Sequence, residues 1–223
     1  MLPAPATRMI TNSVSRRSGD LRKGQGIMSK LAVFFPGIGY TVDKPLMYYS
    51  RKLAAEIGYE IRLLSYSGFP EKKRGDDDRM QKSVRIAIDQ SREQMKDLDL
   101  SAYEDVLFIG KSIGTIASAV LYSESAAKDR IRLILYTPLE ETFSLLLGNT
   151  IVFTGSNDPW VGKNRIPELC REHYIPCRII PGGNHSLETG NTFEDMNNLL
   201  KVMADTRTFI LGESLMHAVV ERK

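Results

Sequence analysis

A serine bracketed by glycines, Gly110-Lys111-Ser112-Ile113-Gly114, follows the apolar run Val106-Leu107-Phe108-Ile109 and precedes a helix-forming stretch. A serine on a tight strand-to-helix turn is lifted clear of the sheet edge, and so sharp a turn has room only for glycine on either side. Unpaired N–H groups at the start of the helix could also stabilise an oxyanion. The chemistry this suggests is acyl transfer with Ser112 as nucleophile; the alternative is an ordinary turn serine. A hydroxyl needs a base before it attacks, and the chain has three histidines, His173, His185 and His217. His185 lies in Pro181-Gly182-Gly183-Asn184-His185-Ser186, a glycine-bearing loop just past an apolar run, which puts it at the same carboxyl edge as Ser112. His173 falls near the end of an expected helix and His217 in a C-terminal tail.

A base of this kind is oriented by a carboxylate between the serine and the histidine in chain order. Asp158, in Gly155-Ser156-Asn157-Asp158-Pro159-Trp160, falls where it is needed, although an Asx-turn aspartate before proline is a common loop feature. A second oxyanion donor is expected from Phe35-Pro36-Gly37-Ile38-Gly39-Tyr40, so the backbone N–H groups of Ile38 and Ile113 form the candidate pair. Tyr40, Lys111, Glu140 and Trp160, with Glu141 beside Glu140, are candidates for shaping a substrate. Each has a surface or packing explanation as well. The chain contains neither G-x-G-x-x-G after its first apolar run nor a G-x-x-x-x-G-K-[ST] phosphate loop.

These loops need a scaffold that brings them to one edge. From residue 30 onward, short β-branched or aromatic runs alternate with longer amphipathic ones, the pattern of βα units around a mostly parallel sheet. Strands are expected at 31–35, 60–64, 105–109, 131–136, 150–154 and 177–180. Helices are expected at 44–57, 78–96, 113–123, 163–173 and 193–211. The fold class is α/β, an open, doubly wound, mostly parallel sheet flanked by helices. The charged run 71–79 is expected to be a solvated loop whose aspartates lie at the next helix's N-terminus.

With 223 residues, 42% hydrophobic and 26% charged, the chain has the size and composition of one globular domain. No apolar run reaches the length of a membrane span. The net charge of +3 is uneven: residues 1–27 hold Arg8, Arg16, Arg17, Arg22 and Lys23 against Asp20 alone, leaving 25 basic and 26 acidic side chains beyond them. A near-neutral body gives no reason to expect a nucleic-acid or anionic-membrane partner. Cys170 and Cys177 make no disulfide framework and no metal-ligand cluster, so both are expected to be reduced packing residues and no metal or cofactor is expected. No secretory signal is evident, which makes the cytoplasm the default location. Residues 1–27 are read as a disordered leader or fusion scar before a single domain over 28–223; Met9-Ile10-Thr11-Asn12-Ser13 resembles the start of the β-galactosidase α-fragment carried by cloning vectors.

Taken with its three loops, the stretch from Met28 to Leu211 resembles the α/β-hydrolase superfamily, in particular its small members without a cap domain, the carboxylesterase and dienelactone-hydrolase-like groups. The resemblance implies Ser112 as nucleophile, His185 as base and then acid, and Asp158 as the carboxylate that orients it. It also implies a parallel sheet whose usual early antiparallel strand is truncated or absent. Pro36-Gly37 stands where many members carry His-Gly. The connection 137–149 is too short for a cap, so the site is expected to be open. The function expected is cleavage of small carboxylic esters, with thioesterase, lactonase, dienelactone hydrolase and peptidase activity, or a binding protein on the same scaffold, as alternatives. The sequence is silent on oligomeric state.

Overall fold

In the strands, apolar residues point both ways, which suits a sheet buried on both faces. Leu31, Val33, Phe35, Val106, Phe108, Leu133, Leu135 and Val152 enter one core, while Ala32, Phe34, Leu107, Ile109, Ile134, Tyr136, Ile151 and Phe153 enter the other. The computed structural model describes residues 29–71, 78–145 and 147–213. Within them β1 (Lys30–Phe35), β2 (Tyr59–Leu63), β3 (Asp105–Lys111), β4 (Ile131–Tyr136), β5 (Thr150–Gly155) and β6 (Cys177–Ile180) form one sheet in the order β2-β1-β3-β4-β5-β6. Every neighbouring pair is parallel.

Helices cover both faces. α1 (Pro45–Glu56) and α5 (Thr192–Ile210) close one core through Leu46, Met47, Ala54, Val202, Met203 and Phe209. α2 (Asp78–Met95), α3 (Ile113–Glu124) and α4 (Arg165–Glu172) close the other through Ala87, Met95, Ile113, Ile116, Ala117, Ile166 and Leu169. Burying side chains of this size contributes about 2 kcal/mol each. The Tyr136 hydroxyl satisfies itself inside the first core, 2.8 Å from Ser50 Oγ of α1 and 2.6 Å from Thr206 Oγ1 of α5. Arg132 on β4 holds the Asp105 carboxylate at 2.7 Å and donates to the Phe209 and Ile210 carbonyls, fixing the end of α5 at the sheet's amino edge.

The expected doubly wound sheet is present, with local differences. β3 runs to Lys111 because Gly110 and Lys111 pair with Leu135 and Tyr136, beyond the apolar run that marks the strand in the sequence. α4 covers only Arg165–Glu172 because the chain approaches it through Asn164 in a left-handed conformation. Between β4 and β5 the described residues hold a short 3₁₀ helix, Glu140–Ser144, and no cap. Cys170 and Cys177 are free thiols. The leader 1–27, Met28, most of the charged run 71–79 and His217 lie outside the described residues. No helix among those described is long and apolar enough to cross a membrane.

Candidate active site

Ser112 joins β3 directly to α3 with φ 55° and ψ −124°, a conformation L residues rarely adopt and one the surroundings must enforce. Its own N–H is tied to the Tyr136 carbonyl at 3.1 Å. The flanking glycines are steric requirements. A Cβ on Gly114 would lie 2.1 Å from the Phe35 carbonyl oxygen, and one on Gly110 would lie 2.9 Å from the Gly114 oxygen. The close pass at Gly114 brings the end of β1, and the turn after it, against the nucleophile's turn.

In the turn after β1 the Gly37 N–H donates to the Tyr40 carbonyl at 3.1 Å, and Gly39 takes a φ of 69°. A Cβ on Gly37 would lie 3.1 Å from Ser112 Cβ, so the turn carrying Ile38 rests on the serine. The Ile38 N–H has no acceptor among the described residues, and that of Ile113 belongs to a helix's first turn, where no intrahelical acceptor exists. Two unpaired amides thus flank Ser112. Pro36-Gly37 makes this approach at the end of β1.

After β5 and β6, two loops meet by the same device. A Cβ on Gly155 would lie 2.1 Å from the Gly183 carbonyl oxygen. Across this contact His185 Nδ1 lies 2.7 Å from Asp158 Oδ2, and His185 Nε2 lies 2.8 Å from Ser112 Oγ. The other carboxylate oxygen of Asp158 accepts the Trp160 N–H at 2.9 Å, and Thr137 Oγ1 donates to the His185 carbonyl at 3.0 Å. The Asp158 side chain is 1% exposed and that of His185 18%. Burial holds the His185 imidazole below its ordinary pKa; the hydrogen bond that it donates to Asp158 pulls it back up, and the Lys111 charge lowers it again. A neutral imidazole bonded in this way can take a proton from the serine.

Of the four candidates for shaping a substrate, Trp160 lies with its ring 5.8 Å from the His185 ring, tilted by 42°, and is half exposed. Tyr40 is half-buried and its hydroxyl accepts the Leu46 N–H at 3.1 Å; burial raises its pKa to about 12. Lys111 is buried beneath it. Glu140 has another use, because its carboxylate accepts from Gly162 N–H at 3.2 Å and Arg165 Nε at 3.3 Å, bracing the loop that carries Asp158. His173 caps the end of α4 beside Phe143. Sequence reasoning missed Thr137, which sits at φ 43° just past β4 and holds the His185 backbone; a threonine after a strand gives no signal of that contact. Among the described residues no three His, Cys, Asp or Glu side chains converge as a metal site requires.

No protein-family model matches the sequence, and neither does any curated protein. Among solved structures, an alpha-beta serine hydrolase homologue from Coxiella burnetii superposes with a TM-score of 0.58 at 16% identity, over 84% of this chain and 87% of that one. Est1E from Butyrivibrio proteoclasticus, solved with ferulic acid bound, gives 0.58 at 14% identity over 83% and 90%. At such identities the likeness is one of fold.

Proposed function

We propose that this chain, built on the α/β-hydrolase fold, is a serine hydrolase that cleaves small carboxylic esters through an acyl-enzyme. The observation that carries the reading is the unbroken hydrogen-bonded chain from Asp158 through His185 to Ser112 Oγ, beside two unpaired amides. Ser112 Oγ attacks the ester carbonyl carbon while His185 Nε2 takes its proton, and the oxyanion is met by the Ile38 and Ile113 N–H groups. Collapse breaks the acyl–oxygen bond, and the departing alcohol takes the proton from His185. Water then gives a proton to His185 and attacks the acyl carbon; collapse returns the proton to Ser112 and releases the acid. Asp158 holds the imidazole tautomer and balances its transient charge. The short β4–β5 connection leaves the site open, which suits small or exposed esters. Trp160 offers a face to an aromatic group, in keeping with the ferulic acid held by Est1E.

A fluorophosphonate probe with intact-mass and peptide mapping tests this without a guess at substrate. Stoichiometric labelling at Ser112 is expected, abolished by Ser112→Ala and His185→Ala and strongly slowed by Asp158→Asn. With an ester in hand, Ser112→Ala should lower kcat by about 10⁶. A folded chain that takes no label, or takes it elsewhere, refutes the reading. A panel of oxygen esters, thioesters and lactones then separates activities that share these groups.

A further inference from the structure

Resting on that reading, we infer that Lys111 is a positioning residue for the reaction, a buried ammonium whose field favours a neutral His185 and the negative oxyanion at Ser112. The lysine is 1% exposed, although lysines are almost never fully buried without a partner. No carboxylate or carbonyl within hydrogen-bond distance receives its Nζ among the described residues. What it has instead is the Tyr40 ring, 4.8 Å away.

The topology explains how it is held there. Lys111 follows Leu107 and Ile109 on one face of β3, beside Tyr136 in register on β4, and its stem passes under the turn that presents the Ile38 N–H. That turn closes over it through Tyr40, so the cation lies between the sheet and the oxyanion turn. Its chain neighbour is the nucleophile. With no hydrogen-bonded counter-ion and only the field of Asp158 to offset it, the charge is tolerated in such a place if the site develops a negative charge during its work. The oxyanion is that charge.

The groups facing this pair are few. Lys111 faces Tyr40 from the turn after β1 and feels Asp158 from the loop after β5; His185 faces Asp158 and feels Lys111; Glu188 acts on Tyr40, and Tyr40 on Tyr136. Burial pushes the Lys111 ammonium down to about 7, against a smaller upward pull from Asp158. The charge is therefore present in acid and lost in mildly alkaline solution.

The test is the rate of Ser112 labelling by a fluorophosphonate, and kcat and KM for p-nitrophenyl acetate, each against pH, in the parent, Lys111→Met and Lys111→Arg. In the parent the rate should rise as His185 loses its proton and then fall on the order of tenfold as Lys111 loses its own. Lys111→Met should show the lower rate throughout, in kcat with KM little changed. Its acid limb should move to higher pH, and its rate should meet the parent's above about pH 9. Lys111→Arg should keep the parent's acid limb and lose the alkaline fall, because a guanidinium does not titrate there. A melting temperature for Lys111→Met at or above the parent's is expected, since the buried charge is gone.

A parent whose rate stays level through about pH 9 overturns the inference without any variant. So does a Lys111→Met protein that melts lower while both limbs stay put, which would make the lysine a post under the turn and nothing more. If the parent takes no label at Ser112, the hydrolase reading falls and this inference falls with it. Labelling that ignores Lys111 removes the second alone.

Discussion

Ser112 occupies a backbone region that costs on the order of 1–3 kcal/mol, and that cost is met by the contacts around it. The contacts are specific: the Tyr136 carbonyl receives its N–H, and the Phe35 oxygen packs against Gly114. Lys111 adds a second cost one residue earlier, and stability should reveal it. Its folded pKa of about 7 lies well below that of the unfolded chain, so between the two the unfolded state binds the extra proton. Unfolding free energy contributed by this group therefore rises with pH across that window, by at most about 1.4 kcal/mol per pH unit. Thermal melts of parent and Lys111→Met should differ most at and below neutrality and converge toward pH 10. A gap that stays constant with pH would mean that the lysine does not titrate there. The meeting of Ser112, Asp158 and His185 was legible in the sequence because residue type and the order of three loops carry it. Lys111 and Glu140 stood out there only as candidates for shaping a substrate; the contacts they make were not legible, because these depend on partners remote in sequence, Tyr40 over one and Arg165 beside the other.

At the scale of elements, two glycine contacts join four loops. Gly114 lets the end of β1 cross the start of α3, and Gly155 lets the loop after β5 meet the loop after β6. Either substitution by alanine drives a Cβ into a backbone oxygen at 2.1 Å, which no rotamer change relieves. For Gly114→Ala the urea midpoint should fall by the equivalent of about 3 kcal/mol or more, with fluorophosphonate labelling lost in whatever remains folded. A loss under about 1 kcal/mol would show that β1 and α3 can separate freely, and the two-amide site would lose its basis. The apolar runs revealed the six strands and the amphipathic ones the five helices, with ends displaced where hydrogen bonding outlasts hydrophobicity, as at Gly110 and Lys111. The 3₁₀ turn Glu140–Ser144 was invisible beforehand, being too short to show a period. Its importance is positional, because Glu140 braces the Asp158 loop from there.

The whole molecule divides its labour between the two edges of one sheet. At the amino edge Arg132 binds Asp105 and the end of α5, a clasp that reaches from β3 to the last helix. At the carboxyl edge, four loops that come from β1, β3, β5 and β6 assemble the site, and only there does the chain place its strained serine. Trp160 is the sole tryptophan of the 223 residues, and it lies 5.8 Å from the His185 ring. All intrinsic indole emission therefore originates beside the candidate base, and a protonated imidazole at that range quenches it. Emission should fall as acid charges His185, with a midpoint below 6.5, and His185→Asn should abolish the step. Emission indifferent to pH in the parent would place the ring too far from the imidazole to sense it. The protein thus carries its own optical gauge of the protonation state on which its proposed chemistry turns, readable without substrate, label or cofactor.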